Sequence, residues 1–135
     1  MSYKIEAVEG IGPVYAKKLA GAGIRTTKDL LKLCCDKRGR QKIAKDCDIS
    51  EKLILTWANL ADLMRISGIG PQFSEMLEAA GVDTVKELRN RKAENLAEKM
   101  KEVNAAKRLA RATPPQASIQ RWIDAARTME PLITH

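Results

Sequence analysis

The sequence predicts an all-α protein built from two tandem helical units, residues 1–60 and 61–135, packed as one compact pseudo-symmetric domain. Three observations carry this expectation. A long segment of the chain repeats itself, and internal repeats are the strongest organisational signal a sequence offers. No run shows the strict two-residue alternation of a half-buried strand. The link between the copies, Asn59-Leu60-Ala61-Asp62-Leu63, lacks glycine and proline and is largely apolar, unlike a flexible tether.

Residues 5–31 read IEAVEGIGPVYAKKLAGAGIRTTKDLL, and residues 63–89 read LMRISGIGPQFSEMLEAAGVDTVKELR. At an offset of 58 they share Gly10/Gly68, Ile11/Ile69, Gly12/Gly70 and Pro13/Pro71, and later Leu19/Leu77, Gly23/Gly81, Thr26/Thr84 and Leu30/Leu88. Near the ends, Ile54-Leu55-Thr56-Trp57 aligns with Ile119-Gln120-Arg121-Trp122 at an offset of 65, so the second copy is about seven residues longer in its middle. Trp57 and Trp122 are expected at equivalent core positions.

In the first copy helices are expected over 4–9, 13–21, 27–36, 40–46 and 50–59. In the second they are expected over 62–66, 71–79, 85–91, 94–103, 105–111 and 115–127. Leu30, Leu31 and Cys34 share a helical stripe, as do Leu53, Ile54 and Trp57. Thr26 with Asp29, and Thr84 with Glu87, have the spacing of a capping box. Thr113 with Gln116, around Pro114-Pro115, gives the same signal before the last helix. Gly23 and Gly81 fall where a helix ends in a left-handed residue.

The chain has 135 residues, 24 basic and 17 acidic, for a net charge of +7. Residues 1–65 carry 13 basic and 8 acidic groups, and residues 66–135 carry 11 and 9. This balance suits a polyanionic partner without requiring one. No stretch approaches the ~20 apolar residues of a membrane span, and the N-terminus lacks the apolar run of a secretory signal. A cytoplasmic protein without membrane contact is expected. The three cysteines, Cys34, Cys35 and Cys47, are an odd number, and the only histidine is His135, so neither a disulfide framework nor a zinc site is expected. The same histidine count leaves no Ser–His–Asp or Cys–His pair, and a binding module is expected rather than an enzyme.

The turns Gly10-Ile11-Gly12-Pro13 and Gly68-Ile69-Gly70-Pro71 carry the chemistry. Glycines two apart permit unusual backbone angles and close approach of another backbone. Proline opens the next helix, whose first-turn N–H groups lack intrahelical partners and form a ready anion site. Ile11 and Ile69 would plug the turns into the core.

At these residues the sequence resembles the helix-hairpin-helix family, and GIGPVYAKKLAGAGIRTTKDL is similar to the DNA-gripping hairpin of the DNA polymerase beta family. The whole chain also resembles an uncharacterised bacterial family of tandem helix-hairpin-helix proteins. The resemblance implies that hairpin N–H groups contact DNA phosphates without reading sequence, and that hairpin carbonyls can hold a monovalent cation. No other cofactor or metal is implied. Matched residue by residue, the donors are Gly10, Gly12, Val14 and Tyr15 around Ile11, with Lys17 and Lys18 following. In the second copy they are Gly68, Gly70, Gln72 and Phe73, but Glu75 and Met76 replace the lysines and Glu78 adds an acid, which opposes phosphate binding.

Lys37, Arg38, Arg40, Lys42 and Lys45 place five positive charges within nine residues. Gly39 suggests a loop entering a helix, from which Arg38, Arg40 and Lys42 would reach a phosphate backbone. Arg89, Arg91 and Lys92 form a second set, and Lys107, Arg108 and Arg111 a third on one late helix. Each set has the plain alternative of a solvated face. The leading expectation is non-sequence-specific binding of duplex DNA. The alternative is a helical protein-interaction adaptor with no nucleic-acid contact. Single-strand binding is disfavoured because few aromatic residues are available for stacking.

Overall fold

Proline at the start and glycine past the end delimit the repeated helix of each copy. In the computed structural model, which describes residues 2–135, Pro13 opens α1 (Pro13–Gly21) and Pro71 opens α5 (Pro71–Ala79). Each proline occupies a first-turn position, where its missing N–H deprives the helix of nothing. Past the helix ends, Gly23 and Gly81 take φ values of +87° and +94°. The Ile24 N–H then donates to the Leu19 carbonyl at 2.9 Å, and the Val82 N–H to the Leu77 carbonyl at 2.8 Å. This is one left-handed helix terminus built twice, and its apolar pairs are fully buried in both copies.

Capping sets the start of α2 (Thr27–Leu33) and α6 (Val85–Arg89). The Thr26 hydroxyl accepts from the Asp29 N–H, and the Asp29 carboxylate accepts from the Thr26 N–H, both at 3.2 Å. In the second copy the Thr84 hydroxyl accepts from the Glu87 N–H at 3.0 Å, but the Glu87 carboxylate pairs with Arg91 at 2.8 Å. Only half of that capping box closes.

The remaining helices are α3 (Lys37–Cys47), α4 (Glu51–Leu63), α7 (Ala93–Lys107) and α8 (Gln116–Thr128). With a 3₁₀ turn at Ile5–Ala7 and one isolated antiparallel bridge between Lys4 and Thr26, they leave no strand among the described residues. The protein is all-α. No helix among the described residues is long and apolar enough to cross a membrane.

Several sequence expectations are corrected. The helix expected over 4–9 is only the 3₁₀ turn, because Lys4 is extended and bridges Thr26, with the Ile5 N–H donating to the Arg25 carbonyl and the Thr27 N–H to the Tyr3 carbonyl. α2 stops at Leu33, since Asp36 caps the next helix through the Gly39 N–H at 2.8 Å. Gly39 therefore lies inside α3 and not in a loop. A Cβ there would collide with the Leu33 carbonyl oxygen, so glycine is what lets α3 start against the end of α2. No separate helix covers 62–66, because α4 runs on to Leu63. None covers 105–111 either: α7 ends at Lys107 and Arg108 turns left-handed at φ 50°, which takes Arg111 off the helix. Thr113 does not cap α8, whose N-cap is Pro115 with no side-chain bond.

Two compact units result, Met1–Asp62 with Leu132–His135, and Leu63–Pro131. The last four residues thus fold with the first unit. There the Thr134 N–H donates to the Cys35 carbonyl at 2.8 Å and the Leu132 N–H to Asp62 Oδ2 at 3.1 Å. Trp57 is buried in the first unit with Ile5, Leu19, Leu30 and Ile54. Trp122 is buried in the second with Leu77, Leu88, Met100 and Ile123.

Candidate functional site

The two Gly-Ile-Gly-Pro turns have the same hydrogen bonds. In the first, the Val8 N–H donates to the Ile5 carbonyl and the Ile11 N–H to the Val8 carbonyl, each at 3.1 Å. In the second, the Ile66 N–H donates to the Leu63 carbonyl at 3.1 Å and the Ile69 N–H to the Ile66 carbonyl at 3.0 Å. Ile11 and Ile69 are buried beneath their turns, so Ile11 positions the turn and is shielded from any contact at its surface.

Gly10 and Gly68 adopt φ values of +89° and +95°, which side-chain-bearing residues rarely take. A tryptophan lies against each. A Cβ built on Gly10 would stand 3.2 Å from Trp57 Nε1, and one on Gly68 would stand 2.8 Å from Trp122 Nε1. Tyr15 meets Trp57 edge-on at 5.1 Å between ring centroids, and Phe73 meets Trp122 at 5.5 Å. Each turn is thereby fixed to an aromatic pair whose tryptophan belongs to the core.

Gly12 differs from Gly10. Its φ is −86°, and a Cβ placed on it would meet nothing within 4 Å. The fold does not need a glycine there, and its bare backbone leaves room for another molecule. The N–H groups of Gly10, Gly12, Val14 and Tyr15 have no acceptor among the described residues, and the Ala16 N–H is the first one taken, by the Gly12 carbonyl at 2.9 Å. No side chain caps the helix. Gly68, Gly70, Gln72 and Phe73 repeat this pattern, with the Ser74 N–H bound to the Gly70 carbonyl at 2.9 Å. At the start of α1 the exposed groups include Gly12, Val14 and Lys17, and in the second turn the exposed Gln72 occupies the place of Val14.

The basic residues divide into separate roles. Arg40 is a correction to the sequence reading: only 2% exposed, it cannot reach a nucleic acid. Its guanidinium donates to the carbonyls of Cys34 at 3.1 Å, Cys35 at 3.2 Å and Thr134 at 2.7 Å. It ties the end of α2 to the final residues of the chain. Two members of the second basic set are also engaged internally, since Arg89 donates to the Ala126 and Met129 carbonyls at the end of α8 and Arg91 pairs with Glu87, while Lys92 is exposed.

Lys18, Arg38 and Lys42 come together with Lys32, which the sequence reading missed, around a cleft of about 740 Å³ in the first unit. Lys32 shares α2 with Lys28 but lies outside the basic run 37–45, and it gave no clustering signal. The Lys18 ammonium donates to the Asp48 carbonyl at 3.4 Å. Lys17 does not line the cleft. The thiols nearby are unequal. Burial pushes Cys34 up to about 12 and also raises Cys47, whereas Cys35 is half-buried; Cys35 and Cys47 both line the cleft. At ordinary pH, Cys34 and Cys47 are therefore protonated and inert.

No curated protein and no solved structure matches the chain. Residues 9–129 match the family described as Domain of unknown function (DUF4332), a span that takes in both turns, the cleft and α8, and the chain belongs to that family.

Proposed function

We propose that the protein is a non-sequence-specific DNA-binding module of tandem helix-hairpin-helix construction, acting as a binder and not an enzyme. One observation carries this reading. The N–H groups of Gly10, Gly12, Val14 and Tyr15 lack acceptors in a turn held rigid from beneath by Trp57, with open space beside Gly12. A phosphate oxygen accepts from such donors, favoured further by the positive end of the α1 dipole. Lys17 follows one turn along, and the charges of Lys18, Arg38 and Lys42 add to the field that draws in a polyanion. The second turn offers the same backbone donors, but Glu75 stands where the first has Lys17, which opposes phosphate approach. The first turn is therefore the principal contact and the second a weak one.

Fluorescence anisotropy with a short duplex and a matching single strand, from about 50 to 200 mM salt, tests this reading. Duplex binding should weaken with salt at a log–log slope of about −2 to −4, as a few phosphates are neutralised. Gly12→Val and Lys17→Ala should each weaken binding while the far-ultraviolet circular dichroism stays unchanged. Absence of binding at low salt, or affinity indifferent to both substitutions, would leave the protein-adaptor reading, in which the exposed Val14 side chain is the first place to look for a partner.

A further inference from the structure

We infer that the cleft between α1, α2 and α3 is a binding site for a small organic phosphate, carrying at least two negative charges and a non-polar portion. The site is separate from the Gly-Ile-Gly-Pro turn, since none of residues 10–15 lines it. Its volume of about 740 Å³ lies within the range of small-molecule clefts and far exceeds one inorganic phosphate.

The charge is one-sided. Four cations, Lys18, Lys32, Arg38 and Lys42, line the cleft against two carboxylates, Asp36 and Asp46. Asp36 is engaged in capping α3 through the Gly39 N–H. Lys32, Arg38 and Lys42 have no ion pair or side-chain hydrogen bond among the described residues. Several like charges facing one concavity repel each other, and an anionic ligand reverses that cost. Beside them, Leu33 is 38% exposed and lines the same cleft, giving the uncharged part of a ligand an apolar wall.

Comparison of the two units shows that the repeated helices do not require a charge at Lys18 or Lys32. In the second unit the counterpart of Lys18 is Met76, fully buried in a core that includes Leu96 and Met100. The counterpart of Lys32 is Asn90. One unit closes this face of its repeated helix into the core, and the other leaves it open and cationic.

Cys35 lines the cleft and supplies a local reporter. The whole protein would be titrated with ADP and with pyrophosphate, both without metal, by calorimetry and by the rate at which a disulfide reagent modifies Cys35. Saturable binding of ADP, tighter than that of pyrophosphate, should slow modification of Cys35. The double substitution Lys32→Gln/Lys42→Gln, at exposed positions that the fold does not use, should weaken ADP binding at least about tenfold. Gly12→Val should leave it unchanged, which separates this site from the DNA reading. The inference is overturned if neither ligand binds by about 5 mM. It is equally overturned if ADP binding survives the double substitution. Protection of Cys35 by duplex or single-stranded DNA but not by ADP would assign the cleft to a nucleic-acid backbone and likewise overturn it.

Discussion

Trp122 stands so close to Gly68 that a Cβ on the glycine would lie 2.8 Å from the indole nitrogen, and Trp57 holds Gly10 in the same way at 3.2 Å. The tryptophan near the end of each repeat thus fixes the turn near its beginning. The backbone of each turn is shaped by a core side chain distant in sequence, so stability and turn geometry share one contact.

The glycines of the turns should separate by steric environment. Gly68→Ala forces a side chain into left-handed backbone and against the indole, and should destabilise by about 2–4 kcal/mol. Gly10→Ala, with a looser contact, should cost about 1–3 kcal/mol. Gly12→Ala meets open space at an ordinary φ and should cost under about 1 kcal/mol. Urea unfolding of the three variants checks the order, and a Gly12→Ala variant as unstable as Gly68→Ala would contradict it.

Arg40 and Arg38 should behave oppositely although they are two residues apart. Arg40→Met leaves the carbonyls of Cys34, Cys35 and Thr134 without their buried donor and should cost about 2–4 kcal/mol. Arg38→Met should change stability by less than about 0.5 kcal/mol. Thermal unfolding measures both. Duplex affinity measured on folded Arg40→Met protein should equal that of the parent.

Acid should weaken the start of α2. The Arg25 N–H, with the Thr26 N–H, donates to the Asp29 carboxylate and holds it below the ordinary 3.8. A depressed folded-state value stabilises above 3.8, and the contribution is lost as pH falls from there through the folded value. The melting-temperature difference between the parent and Asp29→Asn should therefore be constant near neutrality and shrink below about pH 4. A difference that holds steady to pH 2.5 would exclude the carboxylate as its source.

Thiol labelling at about pH 8 should find one reactive cysteine in the native protein. Cys35 should react within minutes, while Cys34, raised to about 12 by burial, and Cys47 should react only on unfolding. Peptide mapping of the labelled protein identifies the site. Labelling of Cys34 before Cys35 would contradict the burial order.

Much of the architecture was legible because its determinants are local. Pro13, Pro71, Gly23, Gly81 and the threonine caps act through backbone angles and bonds spanning three to five residues, and the repetition doubled every signal. Arg40 was legible too, and was misread. It lies three and seven residues before Ile43 and Cys47 on the buried stripe of α3, but a run of neighbouring positive charges made it look like part of a surface cluster.

By itself, the sequence determined the all-α class, the duplication, the two turns and the unsatisfied donors at their helix starts, since these depend on residue type and short spacing. Tertiary structure alone decided that Trp57 lies under Gly10, that Arg40 serves the chain's end, and that Lys32 joins Lys18, Arg38 and Lys42 around one cleft. Those relationships link residues on different helices, and their geometry follows from how the buried faces pack, which no local pattern specifies.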